Sequence, residues 1–418
     1  MEEQLLVELG NAVEYGDANL VQKIRWVENK IASMDSNYHS NQRLAVAFLR
    51  ALTIRAFRKS TDYDTTSEMT RTMISQLVDA HRLSLVQLAS FVEVTPWHWF
   101  GYSTANATIV DAVAGFSVVH IVDLTTTHCM QIPTLIDALA NRPEGPPLII
   151  RLTVPILTTS KCPPPRVFVS YDEIGLRLVN FAMTHNIYLD FIPIVSDPSD
   201  AFDSLIQHVR FHKMQISEAS EALVVNCQML LHMIPDESAS TVAGAIQSSS
   251  FISLRTVFLN SLRSLNPLVV TLVDEDVDFV SGDFTRRLRS SFNYLWIPFD
   301  AVKMSLPEGS EMKQWYENDV CWKVENVIAN EGMQRVERQE SKARWVERMT
   351  RVGFRRMPFG ENAATKAQNL LDVHAFTGWG WKNEQGQDLV LTWKGHNVVF
   401  ATTWIPDLQY NYDLSSLI

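Results

Sequence analysis

Residues 118–133 read VVHIVDLTTTHCMQIP, and this stretch decides the fold class. A run of mostly β-branched residues ends at Asp123, and a polar turn then leads to Pro133, a residue common in the first turn of a helix. Because the run is apolar on both faces apart from His120, it predicts a strand buried on both sides, as in a parallel sheet. The stretch therefore predicts a strand, a turn and a crossover helix.

Four further apolar runs follow, and each is preceded by a segment with helical spacing. The runs are LIIRLTVP at 148–155, YLDFIPIV at 188–195, ALVVNCQ at 222–228 and LVVTLVDED at 268–276. The helical segments are QIPTLIDALANR, DEIGLRLVNFAMTH, FDSLIQHVRFH and LRTVFLNSLRSL. Strands that alternate with helices predict an α/β fold, in which a doubly wound parallel sheet is covered by helices on both faces.

The two ends of the chain have other patterns. Residues 3–114 are predicted to be mainly helical, because apolar residues recur there at helical spacing: Leu5, Leu6, Leu9, Val13, Leu20, Ile24, Val27, Ile31, Leu44, Phe48 and Leu52. Near the other end, DLVLTWKGHNVVFATTWIP at 388–406 contains two apolar runs joined at Lys394-Gly395-His396. This pattern predicts an antiparallel hairpin.

Composition excludes several classes of protein. The 418 residues are 46% hydrophobic and 20% charged, which is typical of a globular protein with a large core. No apolar run approaches the length of a membrane span, and we expect neither a signal peptide nor a membrane anchor. The four cysteines lie far apart, which excludes a CxxC zinc pair. The net charge of −11 means that any DNA contact would need a local basic patch.

The turn after Asp123 lies where doubly wound folds bind ligands. A dinucleotide or S-adenosylmethionine loop needs glycines, and the sequence has none between Gly115 and Gly145. His128 and Cys129 are adjacent, and adjacent side chains rarely aim at one another as base and nucleophile. We therefore expect a polar turn without catalytic residues, cofactor or metal. Asp123 itself is expected to accept backbone N–H bonds and to cap the next helix.

Three histidines outside this turn are further candidates for metal binding. His208 and His212 have the i, i+4 spacing of a zinc-binding helix, but Val209 stands where that chemistry needs glutamate. A solvent-facing pair is the simpler interpretation. His120 is predicted to be a hydrogen-bonded core residue.

Two charged segments each leave two interpretations open. Asp274, Glu275, Asp276 and Asp278 end the fifth run, where they could hold Mg²⁺ or a ribose hydroxyl, or else cap a helix and face solvent. Residues 335–356, RVERQESKARWVERMTRVGFRR, contain eight Arg or Lys and three Glu. They predict either a partner or phosphate surface, or a solvated helix with i, i+4 ion pairs.

Taken in order, these segments resemble the motifs of the GRAS family of plant transcriptional regulators. The matching stretches are EQLLVELGNAVEYGDANLVQKIRWVENKIAS and QRLAVAFLRALTIR for the first leucine-rich region, VEVTPWHWFGYSTANATIVDAV for the helix before VHIID, 118–154 for VHIID, 174–191 for the second leucine-rich region, 223–300 for PFYRE, RVERQESKARWVERM for RVER, and GWGWKNEQGQDLVLTWKGHNVVFATTWIP for SAW. The resemblance covers nearly the whole chain, although the PFYRE region lacks a clear Pro-Phe-Tyr. Within the family, HCMQIPTLIDA is similar to the scarecrow-like branch numbered thirty-two.

The resemblance implies a single GRAS domain over residues 1–418. It implies a Rossmann-type, methyltransferase-like core over 115–418, with the RVER and SAW motifs at 335–406, and a helical cap over 3–114 that contains the first leucine-rich region. Motif residues with an implied structural or interaction role are His120, Asp123, His128, Gln131, Pro133, Arg335, Glu337, Arg338, Trp379, Trp393 and Trp404.

The resemblance also implies a function in the nucleus, with the cytoplasm as a further location. The expected partners are DNA-binding transcription factors, including zinc-finger proteins, and a second GRAS chain as homo- or heterodimer, while direct DNA contact is expected to be weak or indirect. The alternative is a small-molecule sensor or enzyme of methyltransferase descent, which rests on fold type alone.

Overall fold

The structure is a computed structural model that describes residues 3–15, 40–60, 82–157, 163–215, 221–239, 252–374 and 378–409. The predicted helical positions Leu20, Ile24, Val27 and Ile31 lie outside the described residues. All helices and strands named below lie within these ranges.

Strands in chain order are β1 (Arg82–Leu83), β2 (Val118–Thr125), β3 (Ile149–Ile156), β4 (Arg166–Val167), β5 (Tyr188–Val195), β6 (Ala222–Gln228), β7 (Val269–Glu275), β8 (Phe354–Arg356), β9 (Trp379–Glu384), β10 (Asp388–Trp393) and β11 (His396–Pro406). Helices are α1 (Glu3–Tyr15), α2 (Ser40–Ser60), α3 (Leu85–Glu93), α4 (Pro96–Ala112), α5 (Ile132–Ala140), α6 (Tyr171–Thr184), α7 (Asp203–Met214), α8 (Leu254–Ser264), α9 (Phe284–Ser305), α10 (Glu311–Ala329), α11 (Lys342–Arg351) and α12 (Glu361–Val373).

The five strands predicted from the apolar runs form the parallel part of one sheet. The strand order is β5-β3-β2-β6-β7-β11-β10-β9, and β8 pairs with β11. The order reverses between β2 and β6, as in a doubly wound sheet, where ligands bind beyond the carboxyl ends of the strands. The predicted α/β, Rossmann-type fold is thereby confirmed.

The predicted hairpin is present, and it extends the same sheet. Lys394 and Gly395 both have positive φ, as a tight hairpin turn requires, and β11 pairs antiparallel with β7. The hairpin prediction did not include β9, which pairs with β10 as a third antiparallel strand at the sheet end.

Helices cover both faces of the sheet because side chains alternate between the faces along each strand. Val119 and Ile121 of β2 pack with α4, α5 and α6, whereas Val122 and Leu124 pack with α7 and α8. Each fully buried side chain of this kind contributes roughly 1.5–3 kcal/mol.

The helical cap draws on two distant parts of the chain. α1 and α2 pack on α9 and α10, and Phe48 of α2 lies edge-on to Phe292 of α9 with ring centroids 5.9 Å apart. Arg43 of α2 forms an ion pair of 2.8 Å with Glu317 of α10. Residues 284–329 therefore join helices of the 3–114 region in one layer. Among the described residues, no helix is long and apolar enough to cross a membrane.

Candidate functional site

A cavity of about 110 Å³ lies at the carboxyl ends of the parallel strands, beneath the cap. Thr126, Met229 and Glu275, which follow or end β2, β6 and β7, line its floor, and Tyr316 and Lys323 of α10 line its roof. This is the position at which doubly wound sheets bind ligands.

Charged groups in the cavity are paired with one another. Lys323 Nζ lies 2.7 Å from Glu275 Oε2 and 3.4 Å from Glu337 Oε2. Burial lowers the pKa of Lys323, but Glu275 and Glu337 outweigh this and raise it. Burial likewise acts to raise the pKa of Glu337, while Lys323 and His232 hold it below its ordinary value. The ammonium group of Lys323 thus lies between the two carboxylates in a compensated cluster.

The acidic residues at the end of β7 are engaged by protein groups. Asp274 accepts a hydrogen bond of 2.9 Å from His232 Nδ1, and its two carboxylate oxygens lie within the core. Asp276 accepts from the Lys342 amide and from Asn397 Nδ2. Asp278 accepts from the amide of Val280. The capping interpretation therefore holds for Asp276, whose acceptor oxygen receives the first amide of α11, and the carboxylates proposed for a metal or ribose hydroxyl have protein groups as partners.

Two further polar groups line the cavity, His98 and Asp319. His98 Nδ1 is buried and has no hydrogen-bond partner among the described residues. Burial, with a contribution from Lys323, lowers the pKa of His98 to about 4, so the ring is neutral at pH 7. Burial also raises the pKa of Asp319 well above its ordinary value, against the influence of Lys323. A small polar ligand could contact both side chains.

A network of buried side-chain amides lies behind the turn that follows β2. Asn226 Nδ2 donates to Asp123 Oδ1 at 2.7 Å and to Gln131 Oε1 at 2.9 Å, and Gln131 Nε2 donates to Asn106 Oδ1 at 2.9 Å. The remaining oxygen of Asn226 accepts from Thr271 Oγ1. The network joins β2, β6, β7, α4 and the start of α5 without leaving these amides unsatisfied.

The predicted capping role of Asp123 was wrong. Its oxygens accept hydrogen bonds from the side chains of Asn226 and Thr125, whereas backbone N–H groups were expected. Gln131 is the residue before α5 and makes no side-chain cap, and Pro133 is the second residue of that helix. Asp123 thus connects two strands and does not stabilise the helix end.

Asp123→Asn is expected to remove a pH-dependent part of the stability. Burial raises the pKa of Asp123 from 3.8 to about 6, although hydrogen bonds from Asn226 and Thr125 oppose the shift. Between these values the folded state binds a proton that the unfolded state releases. The wild type should therefore gain up to roughly 3 kcal/mol as pH falls through this window, because one pKa unit corresponds to about 1.4 kcal/mol.

Urea denaturation of both proteins between about pH 4 and pH 7 measures this effect. The stability of the wild type relative to Asp123→Asn should increase as pH falls. A difference that is independent of pH would contradict the prediction.

The turn at His128 and Cys129 has the strained backbone of a tight turn, with φ of 49° and 64°. His128 Nε2 lies 3.1 Å from the carbonyl oxygen of Pro165, and burial raises the pKa of Cys129 well above its ordinary value. A thiol with a raised pKa is a poor nucleophile, so these residues fit the predicted polar turn.

Two histidines lie against each other on the other face of the sheet, with ring centroids 5.3 Å apart. His120 is buried and lies 2.9 Å from Thr153 Oγ1 through its Nε2, as expected for a core histidine, and burial lowers its pKa to about 3. His212 was predicted to face solvent, but its Nε2 lies 3.2 Å from Glu221 Oε2 and its ring packs edge-on against His120. That prediction was wrong for His212, because α7 turns this side chain towards the sheet.

The first half of the basic segment is buried. Arg335 donates to the carbonyl of Phe279 at 2.6 Å, and Arg338 forms an ion pair with Asp236. Burial lowers the pKa of Arg335 to about 9, with help from neighbouring Arg287 and Arg338. Residues 335–340 form part of the core, so they are neither a partner or phosphate surface nor a solvated helix. Residues 342–351 form α11, which is the predicted helix with i, i+4 ion pairs.

The three motif tryptophans lie near the antiparallel end of the sheet. Trp393 is buried, donates to Asp300 Oδ2 at 2.8 Å and contacts Trp379 at a centroid distance of 4.8 Å. Trp404 is buried and donates to Thr402 Oγ1 at 2.9 Å. These contacts give all three side chains a packing role.

Sequence reasoning missed Asn226, Lys323 and His98. Asn226 is a polar residue within an apolar strand, and Lys323 lies between the buried residues Val320 and Val324 of α10. A polar residue on an apolar face is a signal for a buried network, and it would have identified these two. His98 carried no comparable signal.

The chain is similar to known proteins in sequence and in fold. The model of the GRAS domain family matches residues 2–405. The chain is 49% identical to Scarecrow-like protein 32 of Arabidopsis thaliana over 97% of this chain and 93% of that protein, and 27% identical to Protein SHORT-ROOT of the same plant over 97% and 73%. The crystal structure of SCL7 from Oryza sativa is similar in fold, with a TM-score of 0.65 and 21% identity over 92% of this chain and 99% of that one.

Proposed function

The chain belongs to the GRAS domain family, as its motifs predicted, and from this we propose that it is a plant transcriptional regulator that acts in the nucleus through protein partners. The proposed partners are DNA-binding transcription factors, zinc-finger proteins among them, and a second GRAS chain. We further propose that residues 1–418 act as one GRAS domain, with 3–114 as the main part of its cap, joined by 284–329, and the rest of 115–418 as its core. Family membership is the observation that carries this proposal.

A role without catalysis is consistent with the cavity. Lys323, Glu275 and Glu337 pair with one another, so their charges are compensated within the protein. The thiol of Cys129 is buried with a raised pKa, and His128 contacts the carbonyl of Pro165. We infer that the fold serves as a scaffold for binding.

The edge of the sheet at β5 offers a surface for a protein partner. β5 pairs with β3 on one side, and no described strand pairs with its other side. Exposed apolar residues flank this edge: Leu176 and Met183 of α6, and Tyr188 and Val195 of β5, are each 59–66% exposed. Exposed apolar side chains beside an unpaired strand are typical of interaction surfaces. This edge, defined by these four residues, is our proposed site for a transcription factor.

Leu176→Lys combined with Tyr188→Lys is expected to reduce capture of the transcription factor at least tenfold. Loss of about 1.4 kcal/mol at the interface is sufficient for this effect, and charging two apolar contacts costs at least that. The measurement is affinity purification of the full chain from plant nuclei, with identification of sequence-specific DNA-binding proteins. Val373→Lys is the matched control, because Val373 is an exposed apolar residue on α12. Equal capture by all three proteins would contradict the proposed site.

Direct DNA binding is expected to be weak because six of the eight basic residues of 335–356 form ion pairs with carboxylates. The ion pairs are Arg338–Asp236, Lys342–Glu384, Arg344–Glu340, Arg348–Glu237, Arg351–Glu347 and Arg356–Asp388. The net charge of −11 also opposes approach to a duplex. In a mobility-shift assay with the purified chain, sequence-selective nanomolar binding without a partner would overturn the partner-based proposal.

A second candidate function is small-molecule sensing, and the cavity lining favours it, because His98 Nδ1 has no hydrogen-bond partner among the described residues and burial raises the pKa of the nearby Asp319 carboxyl. A ligand there would contact both the cap and the core, so its binding would stabilise their packing. Thermal shift of the wild type and of Asp319→Leu with a panel of small polar compounds, S-adenosylmethionine included, tests this candidate.

A further inference from the structure

A polar row crosses the face of the sheet that α7 covers. His120 of β2, Arg151 of β3 and Asp190 of β5 are register partners on adjacent strands. His212 of α7 lies above this row, and Glu221, the residue before β6, lies at its end. One strand, one helix and the residue before a second strand therefore bring two imidazoles and the Glu221 carboxylate together from distant parts of the chain.

The ligand atoms of this cluster converge on one point. His212 Nε2 lies 3.2 Å from Glu221 Oε2, and His120 Nδ1 lies 3.9 Å from the same oxygen. Atoms of the three side chains that could bind a metal all lie within 4.8 Å of one another. The spacing is close to that of ligands around a single zinc ion, whose bonds to nitrogen and oxygen are about 2.0–2.2 Å.

Thr153 orients the first imidazole. In the tautomer whose Nε2–H donates to Thr153 Oγ1, at 2.9 Å, the ring carries its lone pair on Nδ1, which lies 3.9 Å from Glu221 Oε2. Two acceptors that face each other repel unless a cation lies between them. A hydrogen bond from the distant ring nitrogen is also the usual support of a metal-binding histidine.

We propose that His120, His212 and Glu221 bind one divalent transition-metal ion of the zinc class. Two histidines and one carboxylate form a donor set that zinc accepts, with the fourth position open to water. The site lies on the opposite face of the sheet from Asp123. Glu221 and His212 side chains are 8% and 18% exposed, so an ion can reach them from solvent.

The guanidinium of Arg151 contacts two of the three proposed metal ligands and would compete with a metal ion for them. Its Nη1 contacts Glu221 Oε1 and lies 2.6 Å from His212 Nε2, while its Nε lies 3.0 Å from Asp190 Oδ2. The guanidinium therefore supplies the positive charge that the carboxylate needs when no metal is bound. An ion would displace Nη1, and Arg151 would keep its contact with Asp190.

Titration of the chelator-treated full chain with Zn²⁺ in competition with a chromophoric chelator tests the proposal. We expect binding of one ion per chain that is weakened at least about 100-fold by His212→Ala, because one of three protein ligands is lost. Arg151→Met should tighten binding, by roughly tenfold, because a like charge next to the ion is removed. His396→Ala is the control, since His396 is an exposed histidine at the start of β11, three strands away from β2 in the sheet, and it should leave the affinity unchanged.

Opposite responses to His212→Ala and Arg151→Met distinguish a metal site from a purely structural network. If the residues only form hydrogen bonds, both substitutions should destabilise the fold and neither should change Zn²⁺ affinity, and that result would overturn the proposal. Should His212→Ala fail to fold, Glu221→Gln keeps the side-chain volume and must weaken binding in its place. Co²⁺ added to the wild type should give the visible absorption of a four-coordinate nitrogen and oxygen site, and its absence would also overturn the proposal.

Discussion

Replacing Glu340 with alanine is expected to lower the free energy of unfolding by about 3–5 kcal/mol, the range for breaking a buried ion pair. Glu340 is fully buried; Arg255 and Arg348 are its buried counter-charges, and the exposed Arg344 lies 3.4 Å away. Arg348 donates to both of its oxygens, at 2.6 and 2.7 Å. Arg255 Nη1 lies 2.9 Å from Oε2, without the alignment of a hydrogen bond, so that attraction is Coulombic.

The cost arises mainly at Arg255, which is itself fully buried. Its Nε and Nη2 donate to carbonyls of the chain, but Glu340 supplies its counter-charge. Arg348 would keep Glu237, to which it donates at 2.7 and 2.9 Å. The variant would therefore leave a single uncompensated guanidinium in the core.

Urea denaturation measures the effect, with Glu347→Ala as the matched control. Glu347 is 63% exposed and pairs with Arg351 on the same helix, so its loss should cost less than about 1 kcal/mol. If the two variants lose similar amounts of unfolding free energy, the buried ion pair contributes no more to stability than the exposed one, and the prediction is wrong.

The wild-type pair should also respond to acid. Burial acts to raise the pKa of Glu340, but Arg255 and Arg348 outweigh it and hold the pKa below its ordinary value of 4.5. The stabilisation from Glu340 is therefore complete above that value and is lost as pH falls below it.

Trp393→Ala is expected to cost about 3–5 kcal/mol, the usual range for removing a buried tryptophan. The side chain is fully buried on β10 and packs against Trp379. Its Nε1–H donates to Asp300, which also forms an ion pair of 2.6 Å with Lys394. The substitution would leave a cavity between α9 and the antiparallel strands and remove one hydrogen bond.

Trp381→Ala in the same motif is the control. Trp381 on β9 is partly exposed and donates to Gln368, so its removal should cost about 1 kcal/mol. Thermal and urea unfolding of the two variants, compared with the wild type, provide the measurement. A larger loss for Trp381→Ala than for Trp393→Ala would contradict the packing that we describe.

Both predictions imply that the RVER and SAW motifs stabilise the core. Arg335, Glu337, Arg338 and Glu340 contact groups of the core, and Trp393 and Trp404 are buried. Substitutions in these motifs are therefore expected to reduce partner binding because they lower the fraction of folded protein. The molecules that remain folded should still bind their partners.

The sequence by itself determined the elements of the α/β core. Five apolar runs correspond to strands β2, β3, β5, β6 and β7: 118–124, 148–155, 188–195, 222–228 and 268–276. A strand that is buried on both faces needs apolar residues throughout, and this requirement can be recognised from the local sequence. The turn at Lys394-Gly395 was predictable for a similar reason, since it depends on the backbone preferences of two adjacent residues. Family membership also followed from the order of the motifs.

Only the tertiary structure decided which charged residues are buried and what they contact. Arg255 and Glu340 are 85 positions apart in the chain, and His120 and Glu221 are 101 apart, yet each pair meets in the core or beside it. The local pattern around Arg338 resembles that of a solvated helix, because a charge can be buried wherever a distant counter-charge is supplied. The strand order places β6 beside β2 and so brings Glu221 to His120, and no short stretch of sequence encodes that order.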